Sequence, residues 1–227
     1  MYRYLVQFLC VCLFFLGCRE VEQPNYDIGL DFQPLEEGLF WEYEVDERIV
    51  FGENDEETNS YFIKDRVDYT FINDEGVEVF VILRSKGNTR NDYEGVGNYA
   101  LFVRNRALIR MEQNERVVKF PFPPRQGSQW DAKIYSSNPS EIFQIDLLGS
   151  YDLNNVTYSQ AARVLQEDDD DLITSRDIRY EVFAKGIGMI EYYSEVISYC
   201  TRNDCLGQQI EESGSMIHMK IINYGKN

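Results

Sequence analysis

Short segments that alternate apolar and polar residues recur about every ten positions along this chain, with turn-forming residues between them. That rhythm constrains the fold more than any other feature. Phe40-Trp-Glu-Tyr-Glu-Val45 places its apolar and acidic residues on opposite phases, as a half-buried strand does. Tyr61–Ile72 reads as a second strand, Asn73-Asp74-Glu75-Gly76 as a turn, and Val77–Leu83 as the returning partner. Tyr99–Arg104 and Ala107–Met111 pair across Asn105-Arg106, and Val117–Phe120 follows. Further strands are expected at Ile142–Leu148, Val156–Tyr158, Ala162–Gln166, Ile178–Phe183, Met189–Tyr199 and Gln208–Tyr224. No long stretch keeps a helical period; Asn91–Asn98 holds a short helical turn at best. Strands at this spacing, separated by Gly, Asn and Asp, make an all-β protein: a curved antiparallel sheet, or a partial or closed β-barrel.

The N-terminus carries a different signal. Arg3 precedes an apolar run from Leu5 to Leu16, which ends at Gly17-Cys18 and is followed at once by Arg19 and Glu20. The run is too short to span a bilayer, which takes about 20 residues. A basic start, a short apolar centre and a small residue before the cut form a signal peptide. Cys18 after Gly17 resembles the bacterial lipobox, which implies that residues 1–17 are removed and that Cys18 carries acyl chains such as palmitate. A plain secretory signal and an uncleaved anchor are the competing readings, because Phe15 stands where a lipobox usually has Leu. Arg19 in place of Asp implies sorting to the outer membrane, and Glu20 and Glu22 resemble surface-export tags. Residues 18–31, with Pro24 and Gly29, read as a tether, and 32–227 as a single β domain.

About 210 residues remain after the signal, enough for one large all-β domain. The 16 Tyr and 14 Phe supply ample core material. A net charge of −17 sets the chain against nucleic acid and anionic headgroups. The acyl chains are then the expected membrane link, with a small apolar ligand or an envelope protein as partner. The acidic blocks at 53–57 and 168–171 read as solvated loops, since neither has the spacing and turn glycine of a calcium loop.

Cys10 and Cys12 lie in the removed segment, which leaves Cys200 and Cys205 around a polar stretch, Thr201–Asp204. Outside the cytoplasm such a pair is oxidised together, so a structural disulfide closing a tight connection is expected. A redox motif would be C-x-x-C beside a βαβ unit, and zinc would need two more ligands. His218 is the only histidine. In Met216–Ile222 it shares a strand face with Lys220, opposite Ile217, Met219 and Ile221. It is expected on the solvent face and without a catalytic role. Gly186-Ile-Gly188 lacks the following helix with Lys and Ser/Thr that a phosphate loop requires, and reads as a turn needing positive φ.

Two segments echo each other in the frame P-x-x-x-G-x-x-W: Pro34, Gly38, Trp41 and Pro123, Gly127, Trp130. They contain the only two tryptophans. A duplicated structural element and a shared way of starting a strand both explain the echo. Either way the glycines set a turn and the indoles are expected to be buried where they enter the sheet.

The run Phe32-Gln-Pro34-Leu35-x-x-Gly38-x-x-Trp41-x-Tyr43-x-Val45 after a lipobox resembles the opening of an uncharacterised family of Bacteroidota outer-membrane lipoproteins. Phe183-Ala-Lys-Gly186-Ile-Gly188-Met-Ile190-Glu resembles the same family's later glycine turn. The resemblance implies a curved sheet or partial barrel akin to the lipoprotein-carrier half barrel. It brings no reaction and no cofactor. Three functions follow as expectations. The first is a non-enzymatic binding or scaffolding lipoprotein at the outer membrane. The second is a carrier of an apolar ligand or lipid in a half barrel. The third is a carboxylate-dependent carbohydrate-active enzyme.

Overall fold

The computed structural model describes residues 27–226. The signal segment, Cys18, Cys10, Cys12 and the tether up to residue 26 lie outside the described residues. Twelve strands follow one another in chain order. The first six are β1 (Leu39–Gly52), β2 (Asp55–Ile72), β3 (Glu78–Gly87), β4 (Glu94–Arg104), β5 (Ala107–Glu112) and β6 (Glu115–Pro121). The second six are β7 (Gln129–Asp131), β8 (Ile142–Leu153), β9 (Val156–Asp170), β10 (Ser175–Ala184), β11 (Gly188–Tyr199) and β12 (Glu211–Lys226).

Every sequence neighbour pairs antiparallel with the next except β6 and β7, and β1 pairs with β12. The result is an all-β, nearly closed barrel whose seam lies between β6 and β7. Among the described residues, two hydrogen bonds to the β6 backbone cross that seam. The Val118 N–H donates to the Ala132 carbonyl and the Trp130 indole N–H donates to the Val118 carbonyl, both at 2.8 Å. The exposed edge groups of β6 are thereby partly satisfied.

Period-two alternation decides what lies inside. On β1, Trp41, Tyr43 and Val45 join the main core while Glu42, Glu44 and Asp46 take the opposite phase. Phe120 centres the core at one end, with Phe32 stacked at 5.5 Å and Phe183 at 4.9 Å between ring centroids. Phe32 belongs to a short 3-10 turn, Leu30–Phe32, that plugs this end of the barrel. The plug is held by the Gly186 N–H donating to the Asp31 carbonyl and by an Asp27–Lys185 ion pair. Residues 27–31, expected as tether, are therefore packed against the domain.

Three local expectations change. Val156–Tyr158 and Ala162–Gln166 are one strand, β9, because the ladder to β8 resumes on both sides of an irregularity at Ser159 and Gln160, and the Gln160 carbonyl accepts the Lys185 N–H. Residues 94–98 belong to β4 rather than to a helical turn, since pairing with β3 outweighs local preference. The acidic blocks run into strand ends: Asp55–Glu57 open β2 and Asp168–Asp170 close β9. Asp171 sits in the β9–β10 turn, where the Thr174 hydroxyl donates to its carboxylate, which also accepts the N–H groups of Ile173, Thr174 and Ser175. Those bonds hold its pKa well below the usual carboxylate range.

Candidate functional site

Strand direction fixes the two ends of the barrel. Residue 27, the plug and the β10–β11 turn lie at one end, and the β5–β6 turn at Gln113–Asn114 lies at the other. A cavity of about 560 Å3 opens beside that far turn, between Gln113 and Glu115 on one side and Gln166 on the other. Its apolar wall includes Ile63, Val117, Met189, Tyr192 and Met219. This volume lies in the range of small-molecule pockets.

The cavity floor is ionic. Asp65 is 1% exposed and accepts two bonds from Arg84, at 2.8 and 2.6 Å, and one from the Tyr99 hydroxyl at 2.9 Å. Burial and the Asp65 charge push the Tyr99 hydroxyl up. Burial opposes the Arg84 charge, yet the Asp65 bonds and charge override it and raise its pKa. Arg110 lies 4.0 Å over the Tyr99 ring and donates to Glu112 at 2.7 Å. Lys119 pairs with Glu181 at 2.5 Å. Each cation of the wall thus has its own carboxylate.

Bulges aim two of the wall residues. On β6, Phe120 and Val118 pair with Leu108 and Ile109, which leaves Lys119 as the extra residue. On β9, Glu167 and Leu165 pair with Arg179 and Tyr180, which leaves Gln166 extra. An inserted residue re-aims its side chain relative to the ladder, and both line the cavity. Three buried atoms on this wall have no protein partner among the described residues: Arg110 Nε, Gln166 Nε2 and Glu181 Oε2. Leaving such an atom unsatisfied costs about 1–3 kcal/mol.

A second polar cluster lies outside the barrel. Glu191, 3% exposed, meets His218 Nε2 at 2.6 Å and accepts the Tyr151 hydroxyl at 2.5 Å. Tyr180 stacks on Tyr193 at 5.3 Å, and Tyr193 meets the His218 ring edge-on. Burial raises the Glu191 pKa, but the His218 and Tyr151 bonds more than offset it and leave it lowered. His218 is on the outer phase with Lys220, half-buried rather than free in solvent.

The other residues singled out in the sequence sit apart from the cavity mouth. Cys200 and Cys205 are joined, with Cα atoms 5.8 Å apart, in the β11–β12 connection at the mouth end. Trp41 is 4% exposed and its indole donates to the Ile187 carbonyl at 2.5 Å. Trp130 is only half-buried, because it lies on the three-residue strand at the seam and covers a small second cluster of Val79, Phe102, Ile109 and Val118. Gly38, Gly127, Gly186 and Gly188 all have positive φ. At Gly188 a Cβ would come within 2.9 Å of Gln33 Nε2 and 3.0 Å of Trp41 Nε1, so Trp41 needs glycine there. Gly38 and Gly127 donate to the carbonyls of Val67 and Ile145. The two echoing segments thus occupy matching places, each opening six consecutive strands.

The cavity residues did not stand out in the sequence, although a signal was present. Ile63-x-Asp65-x-Val67, Ile82-x-Arg84 and Leu108-x-Arg110 each set a charge on an apolar phase.

Among solved structures, the chain is similar to a protein described as exported, with a YmcC-like fold, from Bacteroides fragilis. That match has a TM-score of 0.45 and 11% identity, and covers 86% of this chain and 99% of the other. A lipoprotein from Parabacteroides distasonis matches with a TM-score of 0.41 and 10% identity over 84% of this chain and 98% of that one. Both likenesses concern the outline of the strands alone. No family model matches the chain, and no curated protein matches it.

Proposed function

We propose that this protein is a non-enzymatic envelope lipoprotein, anchored through Cys18, that holds a small ligand in the mouth of its barrel. One observation carries the reading: a cavity of small-molecule size opens at one end of the barrel between an apolar wall and an ionic floor. The mouth lies at the end opposite residue 27, where the chain arrives from the anchor. A barrel tethered at the outer membrane would then present its opening away from the bilayer. The ionic floor argues for a ligand with polar groups rather than the wholly apolar lipid of a simple carrier.

Native mass spectrometry of the full chain purified from membranes tests the proposal. A retained small molecule, lost when Val117→Trp fills the cavity, is the expected result. A ligand-free protein that also gains nothing from an extract of envelope small molecules would refute it.

A further inference from the structure

We infer that the cavity takes an organic cation, a protonated amine or quaternary ammonium carried on an apolar body. The inference rests on the ligand-binding reading above and specifies its chemistry.

The ionic balance of the lining comes first. Arg84, Arg110 and Lys119 line the cavity and are matched by Asp65, Glu112 and Glu181. Glu115, at the start of β6, lines it too but has no ion-pair partner among the described residues. Its carboxylate accepts one bond, from the Asn138 side-chain amide at 2.9 Å. It is half-buried, so a molecule entering the mouth reaches it. At Tyr61, Lys86 lies 3.5 Å from the ring centroid and the Glu47 charge acts on the hydroxyl, so opposite charges flank that ring. One anion is thus left over in the lining.

The field around the mouth has the same sign. The β1–β2 and β9–β10 turns stand at this end of the barrel. Around them Glu53, Asp55, Glu57, Asp168, Asp169 and Asp171 are outside any ion pair among the described residues. A cleft flanked by one sign of charge concentrates the opposite ion and speeds its arrival. An anion would be repelled by this field and again by Glu115; a cation is drawn in by both.

The rest of the wall sets the body of the ligand. Ile63, Val117 and Ile217 offer apolar surface, and Met189 and Met219 add thioethers that adapt to irregular shapes. Tyr192 contributes an aromatic ring, and aromatic faces attract cations. A metal ion suits this wall poorly. Calcium takes about six to eight oxygen ligands, and Glu115 is the one carboxylate of the lining outside an ion pair among the described residues. An ammonium on an apolar body needs one carboxylate and an apolar surround.

The test uses the full chain purified in a non-ionic detergent, with methyl labels on methionine. Phenethylamine, phenethyl alcohol and hydrocinnamate share an apolar body and differ in charge, and calcium chloride is a separate probe. Saturable shifts of the Met189 and Met219 methyls with phenethylamine are expected, with Met216, on the outer phase of β12 opposite Glu195, unmoved. The alcohol and the carboxylate should bind more weakly by about tenfold or more. Glu115→Gln keeps the shape and removes the charge. It should weaken phenethylamine binding by about tenfold or more, the worth of one hydrogen bond to a charged group, with the melting temperature kept. Added salt should weaken the binding as well, by screening the mouth. Equal or tighter binding of the alcohol or the carboxylate would overturn the inference while leaving the ligand-binding reading intact. Phenethylamine binding unaffected by Glu115→Gln would place the cation elsewhere and overturn it. Calcium that moves the same methyls and displaces the amine would make Glu115 part of a metal site, which also overturns it. No shift with any probe would overturn the inference, and native mass spectrometry would then decide the ligand-binding reading on its own.

Discussion

Replacing Trp41 by alanine tests the claim that the closed end of the barrel is held by one indole. Trp41 is buried, donates to the Ile187 carbonyl, and rests against Gly188. Truncating a buried Trp costs about 3–5 kcal/mol through lost contacts and the cavity left behind. The Ile187 carbonyl loses its donor, which adds about 1 kcal/mol if water does not reach it. A total near 5 kcal/mol lowers the melting temperature of a domain this size by about 10–20 °C. Trp130 is half-buried at the seam, so Trp130→Ala should cost about half as much. Urea unfolding followed by far-ultraviolet circular dichroism measures both, with an unchanged m-value confirming that only stability moved. Trp41→Phe separates the hydrogen bond from the ring volume. A Trp41→Ala loss below about 1 kcal/mol, or a larger loss at Trp130, would refute the argument.

Reducing Cys200–Cys205 should lower stability by about 2 kcal/mol, because the bond closes a short loop; two maleimide-reactive thiols in the non-reduced protein would contradict it. Acid should weaken the outer-face cluster in a defined direction. The folded pKa of Glu191 is depressed below 4.5, so its contribution is complete above that value and is lost as pH falls through the folded pKa. His218→Ala removes a partner of that carboxylate and should cost about 1.5–3 kcal/mol at neutral pH; the gap to the parent protein should narrow on acidification, and a gap independent of pH would count against the account. Cys18→Ala should leave an unprocessed precursor that takes up no labelled palmitate, and normal processing of that variant would disprove lipidation.

Much of the fold was legible in the chain. Phe40–Val45 alternates so regularly that β1 is evident, and the turn glycines Gly38, Gly76 and Gly186 punctuate an antiparallel meander without a helix. The paired cysteines and the echo around Trp41 and Trp130 were also visible in the sequence. Strand limits were less secure where polar residues interrupt or continue a ladder: Ser159–Gln160 is an irregularity that β9 runs through, and at 94–98 in β4 cross-strand partners outweigh local preference. The candidate site was barely legible. Period two tells that Asp65, Arg84 and Arg110 sit on an apolar phase, but not that the phase faces a lumen. Closure depends on β1 meeting β12, strands from opposite ends of the chain. Only closure places Lys119 of β6 against Glu181 of β10, across the barrel and outside any shared ladder. Bulges at Lys119 and Gln166 are register shifts between strands, and a single strand's sequence does not contain its register. The chain alone determined strands, turns and the residues available to bury; tertiary closure decided which buried polar groups meet across the barrel.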